Sequence, residues 1–268
     1  MVTAAVLAAC SGPSGPLATQ QRSEVTTPDG LASGDVVAIA DGDTFDLATE
    51  VGEVTVRLLG VNAPERDECF HDEAARGLEL ALESGNVTLE PHGLDQFGRT
   101  LAYTFAGDTF VNLTLVESGL AIATTPDEGE TRGAALLAAE EAAHNDGIGL
   151  WSSTACGGAP PNADLAIDAS GVNPPGDDAD VLDLERVTIL NNGELETDLS
   201  DWVLRDESSA HRFRFPDGST IGPGSGLDIA SDDPGWEPGE SPVWNNRGDM
   251  ALLLTPGGAI VARHRFGP

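Results

Sequence analysis

From residue 36 the apolar positions fall into short runs whose period changes along the chain. "VVAIADGDTFDLA" and "GEVTVRLLGV" alternate with the two-residue period of strands and are broken by turn residues. "HDEAARGLELALESG" instead collects Ala and Leu on one helical face and is expected to close at Gly85. "NVTLEPHGLDQFGRTLAYTFAGDTF" returns to strands around a polar loop. "FVNLTLVESGLA" and "RGAALLAAEEAAHNDGIGLW" predict two more helices, the last ending at Gly147. Five short strands with helices, one interposed, predict a small Greek-key barrel covered by helices.

The linker "GGAPPNA" separates this region, 35–157, from a second one over 164–268. There the runs "LERVTIL", "DWVLRD", "HRFRFP", "GLDIA" and "MALLLTPGGAIVARHRF" are all strand-like, with turn clusters between them. No convincing helix interrupts them, which predicts a β-sandwich of about a hundred residues. The chain's 268 residues are enough for two such domains and a tether.

Charge changes the picture of what these domains can bind. The chain carries 45 acidic and 13 basic residues, a net of −32, and every basic residue is Arg, with no Lys. A surface this acidic fits a saline environment, where self-repulsion is screened; a GC-rich genome would favour the same residues. It argues against indiscriminate attraction to nucleic acid or anionic lipid, so any chemistry on a polyanion needs a local cationic site.

The chain starts "MVTAAVLAACSGPSG", where "LAAC" resembles a lipobox with Cys10 as the lipidated residue. Residues 1–34 are therefore expected to be an export signal and flexible tether, although the segment lacks the positive start of a complete signal and is too short to span a bilayer. Membrane attachment through Cys10 and an extracellular or cell-surface location follow as expectations. Cys69 and Cys156 then remain, a natural disulfide pair in an exported chain; the alternative is two separate buried thiols.

Three polar stretches of the first domain hold residues that a barrel core does not need. "ADGDT" sets Asp41 and Asp43 about a Gly; "RLLGVNAPE" carries Arg57, Asn62 and Glu65; "LDQFGRTLAY" carries Arg99 where a loop re-enters a strand. Asp and Asn oxygens with backbone carbonyls suit a hard cation such as Ca2+. Paired guanidiniums suit a phosphate and a single Glu suits activation of water, so together they fit a phosphodiester hydrolase.

With "DGDT", "RLLGVNAPE", "FGRTLAY", "VNLTLVESGLA" and the closing "GLW" in this order, the chain resembles the thermonuclease, or staphylococcal-nuclease-like, family over about residues 37–151. The resemblance implies an OB-fold-like five-stranded barrel with three helices and calcium-dependent cleavage of DNA and RNA. By position it implies Asp43 as a metal carboxylate, with Asp41 just outside the metal's shell and the Ala63 carbonyl as a further ligand. Arg57 and Arg99 are implied as phosphate-binding arginines and Glu65 as the general base. Asn62 departs from the pattern, standing where the family carries a second metal carboxylate. The tyrosines that one well-known member places over the nucleotide have no counterpart in "TTPDE" after "GLAIA".

"DLSDWVLRD", "FRFPDG" and "VWNNRGD" resemble the lamin-tail domain, implying an immunoglobulin-like β-sandwich that serves as an attachment or interaction module of unknown ligand; Trp202 and Trp244 are expected in core or inter-sheet packing. The expectation is a monomeric endonuclease followed by such a module. An alternative is a catalytically weak or inactive nucleic-acid-binding scaffold.

Overall fold

The computed structural model describes residues 33–126, 132–176, 181–239 and 242–267. Cys10 and the lipobox lie outside the described residues. Strands β1 (Ser33–Ile39), β2 (Thr44–Thr49) and β3 (Gly52–Leu58) form an antiparallel meander. β4 (Val61–Asn62) is a short strand, and α1 (His71–Leu82) follows it. β5 (Val87–Leu94), β6 (Thr100–Ala106) and β7 (Thr109–Phe110) extend the sheet. β5 pairs with both β1 and β6, and the parallel pairing of β3 with β6 closes a five-stranded mixed barrel. Phe45, Leu47, Val56, Leu58, Ala102 and Tyr103, all 1% exposed or less, fill it. Helix α2 (Val111–Glu117), β8 (Ile122–Ala123) and α3 (Gly133–Asp146) complete the domain, with β8 pairing β4.

Helix α1 closes at Leu82, three residues before Gly85. Its last buried side chains are Ala81 and Leu82, and Gly85 serves the strand layer instead. A Cβ at Gly85 would come within 2.7 Å of the Gly107 backbone nitrogen.

Among its described residues the second domain is built of strands. β9 (Leu165–Asp168) and β10 (Arg186–Asn191) are followed by the short β11 (Thr197–Asp198) and by β12 (Val203–Arg205) and β13 (Arg212–Arg214). Then come β14 (Thr220–Ile221), β15 (Gly226–Ala230), β16 (Trp236–Glu237), β17 (Asp249–Leu254) and β18 (Ile260–Phe266). One sheet runs β15-β10-β9 and another β16-β13-β12-β17-β18, with β11 and β14 paired separately. Val187, Ile189, Leu204, Leu253, Trp202 and Trp244 are buried among them, consistent with an immunoglobulin-like sandwich.

The domains are packed together. All six residues of β17 are buried, so both of its faces are covered. Ala251 and Leu253 join the sandwich core, while Met250, Leu252 and Leu254 join Ile122, Ala143 and Trp151 of the barrel domain in a shared apolar cluster. Around it Arg263 reaches Glu140 at 3.0 Å and Glu141 at 2.5 Å, and Arg265 reaches Glu140 at 3.2 Å. The Arg263 guanidinium also lies 5.2 Å from the centre of a Trp151 ring. These second-domain arginines, on alternate positions of one strand, thus face the acids of helix α3. Among the described residues no helix is long and apolar enough to cross a membrane.

Candidate active site

The β2–β3 pairing places Thr44 opposite Arg57, and Asp43 accepts the Leu58 N–H through its backbone carbonyl at 2.8 Å. The turn before β2 is held by Asp41, whose Oδ1 accepts the Asp43 N–H at 3.0 Å. Gly42 is required there: a Cβ would lie 2.5 Å and 2.7 Å from those of Ala74 and Ala63. The Asp43 carboxylate is thereby driven inward to 7% exposure. Its Oδ2 accepts the Ala63 N–H at 2.8 Å and pairs with Arg57 at 3.0 Å, and its Oδ1 accepts the Thr44 hydroxyl at 2.9 Å. Burial pushes the Asp43 carboxyl up to about 6, against the pull of Arg57 and with a further push from Asp41.

Arg57 is fixed on four sides. Nη1 donates to the carbonyls of Leu58 and Val61, each at 2.8 Å, and Nη2 donates to Asn62 Oδ1 at 2.8 Å besides meeting Asp43. Its plane is set before any substrate arrives. Asn62 is 4% exposed, and its Nδ2 donates to the Glu207 carbonyl at 3.1 Å and to Ser209 Oγ at 3.0 Å, both in the second domain. Donors and acceptors around this amide agree on its orientation.

Glu65 is exposed at the end of the same loop, and its N–H donates to Glu68 Oε2 at 2.8 Å. Glu68 is in turn faced by Arg212 at 2.9 Å and Arg205 at 3.4 Å; these are ion pairs without aligned hydrogen bonds. Arg99 lies just before β6, two residues ahead of Leu101, the parallel partner of Arg57. Its Nε donates to Asp95 at 2.6 Å, and it is 31% exposed. Asp43, Arg57, Asn62 and Ala63 are thus joined in one bonded array with Asp41 behind it, while Glu65 and Arg99 stand free of that array at its edge.

Cys69 and Cys156 are joined by a disulfide, with Cα atoms 5.8 Å apart, just past Glu68. Among the described residues no group of three or more His, Cys, Asp or Glu is placed to hold a metal. Asp43 is nevertheless a buried carboxylate with Asp41 close behind it, and carboxylate oxygens are the donors a hard cation takes. The Asn62 oxygen, turned to Arg57, does not offer itself to one.

Sequence reasoning missed Phe97, Arg205, Glu207, Ser209 and Arg212. Phe97 is 74% exposed, with the Arg99 guanidinium 5.4 Å from its ring centre. A Phe inside the polar turn "DQFGR" was its signal. For the second-domain residues the available signal was "MALLL", an unbroken apolar run with no polar alternation for a solvated face.

The profile of the staphylococcal nuclease homologue family matches residues 55–153, and that of the Lamin Tail Domain matches residues 159–268. The chain is 34% identical over 118 residues to an "Uncharacterized endonuclease" of Haemophilus influenzae, covering 44% of this chain and 65% of that protein, just under two thirds of its length. It is 31% identical over 128 residues to a "Micrococcal nuclease" of Shigella flexneri, covering 44% of this chain and 73% of that one. It is 28% identical over 124 residues to a "Thermonuclease" of Staphylococcus intermedius, covering 43% and 74%. On the ordered motifs, the closed barrel and these matches, the chain belongs to the staphylococcal nuclease homologue family and carries a lamin-tail domain behind its nuclease-like barrel.

Proposed function

We propose that the protein is an exported, calcium-dependent endonuclease that hydrolyses phosphodiesters of DNA and RNA, held at the cell surface by a lipid on Cys10. The observation that carries the catalytic part is the Asp43–Arg57–Asn62–Ala63 array, with its guanidinium locked and Glu65 exposed beside it. Asp43 would hold Ca2+ with Asp41 just outside the ion's shell, and the Ala63 carbonyl adds a neutral oxygen. Bound there, the ion would withdraw charge from a phosphate oxygen. Glu65 takes a proton from the attacking water. Arg57 and Arg99 hold the charge that develops on the phosphoryl oxygens, and Phe97 offers an exposed ring on which a base can stack.

Between residues 36 and 157 there are 22 acids and 5 arginines, so a polyanion is repelled at low salt. Activity should therefore survive or rise toward molar salt. The test is fragmentation of plasmid DNA in molar salt, with calcium or with a chelator. Calcium-dependent fragmentation is expected, with Glu65→Gln and Arg99→Ala each losing on the order of 100-fold or more in turnover. DNA that is bound but left intact would replace the enzyme with a capture scaffold.

A further inference from the structure

The loop from Asn62 to Glu68 carries the proposed base and the partner of Arg57, and both of its ends are gripped by the second domain. At one end Asn62 Nδ2 donates to the Glu207 carbonyl and to Ser209 Oγ. At the other, Glu68 holds the Glu65 N–H while Arg205 and Arg212 oppose its second oxygen. Ser209 links the two grips, since its Oγ also accepts from Arg205 Nη1 at 2.7 Å. We propose that the lamin-tail domain is a working part of the nuclease site, with Ser209 as a positioning residue that sets Asn62 against Arg57.

The departure at Asn62 then has a physical reason. A carboxylate in its place would face the Glu207 carbonyl with no proton to share, leaving two buried acceptors opposed. An amide supplies the donor, and its oxygen still accepts from Arg57 at 2.8 Å. The metal-ligand role expected of this position is exchanged for an orienting one. If the amide turns, Arg57 Nη2 keeps only Asp43, and the guanidinium loses one of the four contacts that fix its plane. Ser209 itself adopts φ 61°, a left-handed conformation that the loop imposes to aim the hydroxyl inward.

This inference rests on the nuclease reading, and the experiment separates the two. In the full chain, Ser209→Gly removes the hydroxyl while permitting the same backbone. With a quenched fluorescent DNA oligonucleotide, calcium and molar salt, its kcat should fall about 10-fold or more with KM within about 2-fold. Ser209→Asn, which tolerates the left-handed conformation and restores an acceptor, should recover most of kcat. A readout independent of turnover is the Asn62 side-chain amide by NMR, whose protons should be slow to exchange in the wild type and fast in Ser209→Gly. Glu141→Gln, which cuts an ion pair at the domain rim remote from the loop, is the control and should leave kcat unchanged. Cleavage by the wild type together with wild-type kcat in Ser209→Gly overturns this proposal alone. Equal kcat losses in Ser209→Gly and Glu141→Gln also overturn it, because loosened docking then suffices. A wild type that does not cleave overturns the nuclease reading and this proposal with it.

Discussion

Glu140 is the most exacting place to test how the two domains are held. Its side chain is 2% exposed, and it accepts the Ala123 N–H at 2.8 Å while facing Arg263 at 3.0 Å and Arg265 at 3.2 Å. Glu140→Gln keeps the shape and removes the charge, leaving two guanidiniums side by side. Breaking a buried ion pair by removing one partner costs about 3–5 kcal/mol. Arg263 retains Glu141, and Arg265 retains Glu207 at 2.7 Å and the Ala123 carbonyl at 2.7 Å, so the lower end, about 3 kcal/mol, is expected. Urea unfolding followed by tryptophan fluorescence measures it, since Trp151 belongs to the shared cluster. Salt sharpens the test. The Debye length at 1 M is about 3 Å, yet a buried network is screened little, so the loss should persist in concentrated NaCl. Glu90→Gln, which cuts the half-exposed Glu90–Arg132 pair, should cost less than about 1 kcal/mol and become silent in the same salt. A Glu140→Gln loss below about 1 kcal/mol, or one abolished by salt, would refute the claim that this network is buried and holds the domains together.

Two further tests concern the whole fold. The Cys69–Cys156 bond closes a loop with a sequence separation of 87. Replacing both cysteines by Ser should cost about 4–5 kcal/mol on the chain-entropy account, read as a lowered urea midpoint; an unchanged midpoint would contradict it. Burial raises Glu207 to about 7 and Asp249 to about 6, so the folded chain binds these protons more tightly than the unfolded one. Their contribution is fully present below about pH 4 and is lost as pH rises through about 7, Glu207 alone accounting for roughly 3 kcal/mol. Thermal midpoints in constant salt should therefore fall from pH 5 to pH 7.5 and level off above; a rise over that interval would count against it.

The barrel and the motifs of its site were legible because their signals are local. Alternation in β2 and β3 marks the strands, and their pairing sets Thr44 opposite Arg57, with Asp43 of "DGDT" in the turn just before it. The role of Asn62 was not legible, because its hydrogen-bond partners lie 145 and 147 residues away. Arg263 and Arg265 alternate with the buried Ala262 on β18 and so point away from the sandwich core. What lies outside that core is another domain and not water, and only the unbroken run in β17 records this. α1 was read too long because Gly85 looks like a helix stop, whereas its lack of a Cβ serves a close approach to Gly107.

The two-sided burial of β17 limits how this pair of domains can be exchanged by recombination. A lamin-tail sandwich whose equivalent strand has a polar outer face would set that face against Ile122 and Trp151, and leave Glu140 without its cations. A barrel without an apolar patch at this place would leave Met250 and Leu252 uncovered. Each half is recognisable as a common module, yet a viable swap must bring the matching strand and the matching arginines with it. Modular at the level of sequence families, the chain is a single unit at the level of what selection can replace.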